Sequence, residues 1–333
     1  MRFLHAALSG TAMVLCGTAM LALGAAAQAQ EKLGDGLVMY FQMGGQPGDG
    51  ATLPRQNGAK AAAEALGVDV REQFSAWAGE TMLNQFREAM AARPDCIQIM
   101  GHPGAEAWEP LVAEAEQAGI TVTNGNASID PLYEKYRAQG FGYIGVELYQ
   151  GGWMTGKAMV EKGKLKKGDK AVVYGHFASG RRASDDGVVD ALKDAGLEVD
   201  TLVISPEVDA DYSQAAPVIV GYLQAHPDVK AIGTQHGGVT GTYAQALKAA
   251  GKKPGEIVAG GIDLTPATID GLKDGYVTVT LDQQLYLQGF LPVVQCVLTR
   301  KYGIAGMRMN TAGGVITPES IDKLVPLIEA GIR

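Results

Sequence analysis

From Leu37 onward, short apolar runs alternate with longer stretches in which apolar residues recur every three or four positions. Leu37 to Gln42 is an almost unbroken apolar run, the composition of a strand covered on both faces. Val68 to Phe74 reads as a second strand, after an Ala-rich helix from Asn57 to Leu66. Met82, Phe86 and Met90 share one helical stripe, which predicts a helix over Thr81 to Ala92, ending before Pro94. Strands follow at Ile97 to Met100 and Ile120 to Thr123, around a helix from Ala107 to Ala118. Phe141 to Glu147 reads as a further strand where the two halves of the chain meet, so the connection between them is structured.

The second half keeps the same rhythm. Strands are predicted at Ala171–Tyr174, Thr201–Ile204, Ala231–Thr234, Ile257–Gly260 and Val277–Leu281. The helices between them cover Ala183–Ala195, Tyr212–Ala225, Thr242–Ala250 and Pro266–Leu272. Gly67, Gly119, Gly196 and Gly251 each end a helix, where a left-handed residue is needed and a side chain is penalised. Strand–helix alternation with links this short builds right-handed βαβ units, hence doubly wound parallel sheets.

Before this rhythm begins, Met1 to Ala29 has one basic residue, Arg2, then an Ala/Leu-rich stretch ending in Ala27-Gln28-Ala29. That is the layout of a cleavable secretory signal peptide. About 300 residues then remain, which suits two domains. The formal charge is −8, and removal of Arg2 takes it to −9. An acidic chain with no basic stripe argues against nucleic acid and anionic membrane surfaces as partners. Cys96 and Cys296 lie in apolar runs and read as small core residues rather than a disulfide.

In open parallel sheets, ligands bind beyond the carboxyl ends of the strands. The segments there are Gly44 to Thr52, His102, Asn124 to Asn126, His176 to Arg182, Gln235-His236, Asp263 and Asp282-Gln283. Nearly all carry polar or charged groups, more than packing needs. Arg181-Arg182 opens a helix at the end where the dipole disfavours a cation, so a guanidinium there is read as forking toward ligand oxygens. Asp263 can accept two hydroxyl donors at once, since Thr265 is the better-placed cap for the helix beginning near Pro266. His236 is read as a hydrogen-bonding imidazole. Histidines His102, His176, His226 and His236 have no metal-ligand spacing, and Ser179 lacks a nucleophile-elbow pattern. Neither a metal nor a cofactor nor an enzymatic activity is expected. Phe177 and Tyr212, which flank polar loops, are the aromatic candidates for a lid over the ligand.

These features together resemble the periplasmic sugar-binding proteins of the ribose-binding type, which serve ATP-driven importers. The likeness covers the mature chain and rests on Arg182…Asp186-Gly187, Ala225-His226-Pro227-Asp228-Val229, Gln235-His236, Ile262-Asp263-Leu264-Thr265-Pro266, and Leu272-Lys273-Asp274-Gly275 leading to Gln283. The resemblance implies that Arg182, Asp263 and Gln283 hold ligand hydroxyls, joined by His236, Asn126 and Asp49. It implies two lobes joined by a three-strand hinge, with the ligand in the cleft. Residues 30–146 plus 284–314 would form one lobe and 147–283 plus 315–333 the other. It also implies a periplasmic monomer that carries a sugar or polyol to the permease subunits of an ABC transporter. Presentation of the ligand to a receptor or sensor kinase is the alternative use of the same fold. The family's bulky aromatics after Gly48-Asp49 are replaced here by Gly50-Ala51-Thr52, and His236 and Asn126 are also departures, so the expected ligand is not ribose.

Overall fold

The computed structural model describes residues 31–177 and 180–333. The expected signal peptide, Met1 to Ala29, and Ser179 lie outside the described residues. Among those described, no helix is long and apolar enough to cross a membrane.

The first five strands are β1 (Val38–Gly44), β2 (Asp69–Phe74), β3 (Cys96–Met100), β4 (Thr121–Gly125) and β5 (Gly142–Gly145). The next five are β6 (Lys170–Gly175), β7 (Glu198–Val203), β8 (Val229–Gly233), β9 (Val258–Ile262) and β10 (Val279–Asp282), followed by the short β11 (Arg308–Asn310) and β12 (Gly314–Ile316). They form two six-stranded sheets, ordered β11-β5-β4-β3-β1-β2 and β12-β10-β9-β8-β6-β7. Every pairing is parallel except β10 with β12. The chain therefore passes between the sheets three times: after β5, after β10, and between β11 and β12. Backbone bonds tie these crossings together, from Thr311 N–H to the Gly145 carbonyl at 3.0 Å and from Gly313 N–H to that of Asp282 at 2.8 Å.

Central strands are buried on both faces, polar Gln98, Thr123 and Asn124 included. One face of the first sheet packs Met82, Phe86 and Trp108 over Ile97 and Val122. The other packs Met39 and Phe41 against Val293 and Val297. The second sheet is covered in the same way, with Ile219, Tyr243 and Leu272 on one face and Met159, Val188 and Leu192 on the other. The four glycines predicted to end helices all have positive φ, between 73° and 84°.

Two findings correct or extend the sequence reading. Cys96 and Cys296 are fully buried, as expected, but they are bonded to each other, with Cα atoms 6.0 Å apart. The chain's return to the first lobe lays the helix Leu285–Tyr302 over the sheet and brings together residues 200 positions apart. That helix also crosses Leu53–Leu66 so closely that a Cβ on Gly289 would lie 1.9 Å from the Arg55 carbonyl oxygen. The close crossing sets Arg55 beside Gln288 beneath the cleft, where one guanidinium nitrogen donates to Gln288 Oε1 at 3.1 Å and the other to the Met43 carbonyl at 2.7 Å.

Candidate ligand cleft

The carboxyl ends of both sheets converge on one cavity of about 190 Å³. Trp77, His102 and Asn126 line it from the first lobe, and His176, Arg181, Asp209, His236 and Asp263 from the second, with Gln283 on a crossing segment. The lobes stand close together around it. A Cβ on Gly50 would lie 2.9 Å from Thr265 Cγ2, and one on Gly180 3.1 Å from the His102 carbonyl oxygen.

Asp263 follows β9 with φ of 72°, a left-handed conformation that a short polar residue tolerates. Its Oδ1 accepts from Gln283 Nε2 at 2.7 Å. Burial raises its pKa, against the pull of Gln283, Arg181 and Arg55. Among the described residues Gln283 Oε1 and Asn126 Oδ1 are buried without a hydrogen-bond partner, and a buried acceptor left unpaired is costly. Thr265 caps the helix Pro266–Lys273 by accepting from Thr268 N–H at 3.2 Å, which leaves the Asp263 carboxylate to the cavity. Arg55 is 1% exposed below the site, and burial lowers its pKa to about 10, partly offset by Asp49 and Asp263. Burial also pushes the pKa of His102 well below the ordinary imidazole value, helped by Arg181, so it is a neutral group.

Trp77 forms the apolar wall. Its ring lies 5.3 Å from that of His102 and 5.8 Å from the Arg55 guanidinium carbon. Gly44 is a glycine because of this ring: its φ is 93°, and a Cβ there would sit 2.4 Å from Trp77 Cζ3. An aromatic wall that the first loop lacks is thus supplied from the end of β2.

The family model for the periplasmic binding protein domain matches residues 52–298. The chain belongs to this family. A xylose/arabinose-binding protein of Sulfolobus acidocaldarius is 32% identical over 222 residues, 64% of this chain and 54% of that protein. A D-ribose/D-allose-binding protein of Pseudomonas aeruginosa is 27% identical over 187 residues, 56% of this chain and 57% of that one. The chain therefore spans little more than half the length of these curated relatives. A carbohydrate transporter structure from Acidothermus cellulolyticus, in complex with myo-inositol, superposes with a TM-score of 0.75 at 21% identity, covering 89% of this chain and 99% of that one. The two-lobed α/β fold read from the sequence is the fold of this periplasmic binding protein.

Of the expected site residues, Asp263, Gln283, His236 and Asn126 come together in the cavity of this binding protein. Arg182 does not. It lies on the outer face, 2.9 Å from Asp186, while Arg181 lines the cavity. Successive residues at a helix start project about 100° apart, so a shift of one position exchanges inside for outside. Arg181→Ala is expected to weaken ligand binding at least 10-fold and Arg182→Ala less than 2-fold. Calorimetry on the two variants checks the order, and equal losses would contradict it.

Asp49 is also placed otherwise than expected. Its carboxylate accepts the backbone N–H groups of Gln46 at 2.8 Å, Ala51 at 3.1 Å and Thr52 at 2.6 Å, so it organises the loop that opens helix Leu53–Leu66. Phe177 packs against the core of the second lobe and lines an outer groove with Arg182, which removes it from any lid. Tyr212 is 51% exposed at the cleft rim, with its ring 6.4 Å from that of His236.

Sequence reasoning missed Arg55 and Asp209, and the residues alone did not decide between Arg181 and Arg182. Trp77→Ala is expected to weaken binding roughly 3- to 10-fold, the worth of one aromatic contact. Trp77→Phe should recover most of that loss, as a titration followed by calorimetry would show.

Proposed function

We propose that this binding protein is exported to the periplasm, closes on one monosaccharide or polyol, and delivers it to the membrane complex of an ABC importer. The observation that carries this reading is the cavity itself, enclosed by both lobes and the hinge, with a buried carboxylate, two unpartnered amide oxygens and an indole wall. At about 190 Å³ it is smaller than the roughly 300–1,000 Å³ of sites for drug-sized ligands, so its ligand is small. Amide and carboxylate oxygens accept hydroxyl protons, the Arg181 guanidinium donates to hydroxyl and ring oxygens, and the indole covers an apolar C–H face. A pentose, hexose or cyclitol presents all three surfaces, and the relatives' ligands (xylose, arabinose, ribose, allose, myo-inositol) fall in this class.

Each charge-assisted bond contributes about 1.5–3 kcal/mol net, so a few of them reach the roughly 8 kcal/mol of micromolar binding after ordering costs. Hinge closure supplies the rest of the mechanism: the ligand bridges the lobes and stabilises the closed shape that a permease would read. A thermal-shift panel of pentoses, hexoses, sugar alcohols and inositols tests the reading. A ligand at 100 times its Kd stabilises by about 2.7 kcal/mol, a clear rise in midpoint. A panel with no rise would reject sugar binding.

A further inference from the structure

We propose that His176, Asp209 and His236 form a binding site for a divalent transition-metal ion of the zinc type on the second-lobe wall of the cleft. The three residues come from the end of β6, the helix Pro206–Ala210 and the N-cap of helix Gly237–Ala249. Asp209 Oδ1 lies 3.3 Å from His176 Nε2 and 3.1 Å from His236 Nε2, and all three ligand atoms fall within 4.8 Å of one another. A tetrahedral ion with bonds of about 2.0–2.1 Å spaces its ligand atoms about 3.3 Å apart, so two of the three edges are already in place. The imidazole centroids are 5.2 Å apart with planes 10° from parallel. The rings stack rather than share a plane, so one must turn for both Nε2 lone pairs to meet on one ion.

Two histidines and a carboxylate leave coordination positions open, here toward the cavity, where water or a ligand hydroxyl can complete the shell. The surroundings suit a metal-bound histidine at His176. Its Nδ1 lies 3.6 Å from the buried carboxylate of Asp185, which is itself fixed by the backbone N–H groups of His176 at 2.8 Å and Gln235 at 3.0 Å. A carboxylate in that place can orient a metal-bound imidazole once the ring closes to hydrogen-bond distance. Asp209 is 43% exposed, which leaves a path of entry. His102, whose buried Nδ1 has no hydrogen-bond partner among the described residues, lines the same cavity from the first lobe.

Proton accounting sets the conditions. His236 Nδ1 accepts from Val239 N–H at 3.3 Å, so the metal-free ring carries its proton on Nε2. Binding moves that proton to Nδ1 and gives up this long contact, and it removes any proton held on His176 Nε2. No metal-ligand spacing marks the site in the sequence, because each ligand comes from a different segment.

The test uses the metal-stripped protein without sugar, so that its failure is separate from failure of the sugar reading. Titration with Co²⁺ is expected to give one equivalent bound, with visible d–d absorption that one equivalent of Zn²⁺ abolishes. Asp209→Asn and His176→Gln are each expected to weaken Co²⁺ binding at least 100-fold, and His226→Gln, remote from the cleft, less than 2-fold. Melting curves identify any variant that does not fold, and the other variant then decides. Absence of saturable binding to the wild-type protein, or equal binding in all variants, would overturn the proposal.

Discussion

Asp263→Asn is expected to weaken ligand binding about 100- to 1,000-fold while leaving the fold intact. The carboxylate is 5% exposed, and one of its oxygens already takes the Gln283 amide at 2.7 Å. The charged group can accept two ligand hydroxyls as well, and each bond to it contributes about 1.5–3 kcal/mol. Asparagine keeps the shape and tolerates the φ of 72°, but it turns one acceptor into a donor facing Gln283 or the ligand. Alanine at this φ adds backbone strain to the loss of acceptors, so asparagine is the cleaner variant. Calorimetry of the best ligand gives the loss directly, and an unchanged Kd would remove Asp263 from the site. Because burial raises the pKa of Asp263 above its ordinary 3.8, acid reaches it early. Protonation cancels the charge on which the ligand bonds rest, so wild-type affinity should fall as pH drops through the raised pKa. The asparagine variant should lack that acid limb.

The elements that were legible in the sequence are those whose local chemistry and packing agree. Strands with both faces buried are mostly apolar, helices close on glycines with positive φ, and Thr265 caps its helix while Asp263 stays with the cavity. The helix Leu148–Gly163 gave no such signal. Gly151, Gly152 and Gly156 interrupt its apolar period and lower its propensity. They are there for packing: a Cβ on Gly152 would lie 1.7 Å from the Ser184 carbonyl oxygen of the neighbouring helix.

At the site, strand ends located the second-lobe residues well, because Asp263 and His236 follow their strands within a few positions. Trp77 obeys the same rule, three residues after β2 ends at Phe74. Extending the search past that strand would have singled it out. Arg55 was out of reach of this rule, since it reaches the cleft from within a helix. Asp209 lies in a short helix six residues past β7, and only the tertiary fold sets it between two histidines. The exchange of Arg181 for Arg182 shows the resolution of motif matching: it finds the helix start but not which residue of the pair faces inward.

Removing the Cys96–Cys296 bond is expected to destabilise the first lobe by several kcal/mol without disabling the cleft. The bond closes a loop of about 200 residues, for which the chain-entropy model gives about 5 kcal/mol, while losses measured on removing native disulfides run at about 2–5 kcal/mol. The sulfurs also fill a site in which both cysteines are fully buried, so a Cys96→Ala/Cys296→Ala variant adds a small cavity to the lost constraint. At roughly 2–4 °C per kcal/mol, the midpoint should fall by about 10 °C, and reduction of the wild-type protein should reproduce most of that drop. Ligand affinity at 25 °C should change less than 3-fold. Cys96 begins β3, whereas the cavity lies beyond the other end of that strand, at His102. Scanning calorimetry with and without reductant measures the first effect and a ligand titration the second. A midpoint that reductant leaves unmoved in the wild-type protein would mean that the cysteines are unpaired in solution. A large loss of affinity in the double-alanine variant would mean that the bond reaches the hinge through the helix Leu285–Tyr302, which joins Cys296 to Gln288.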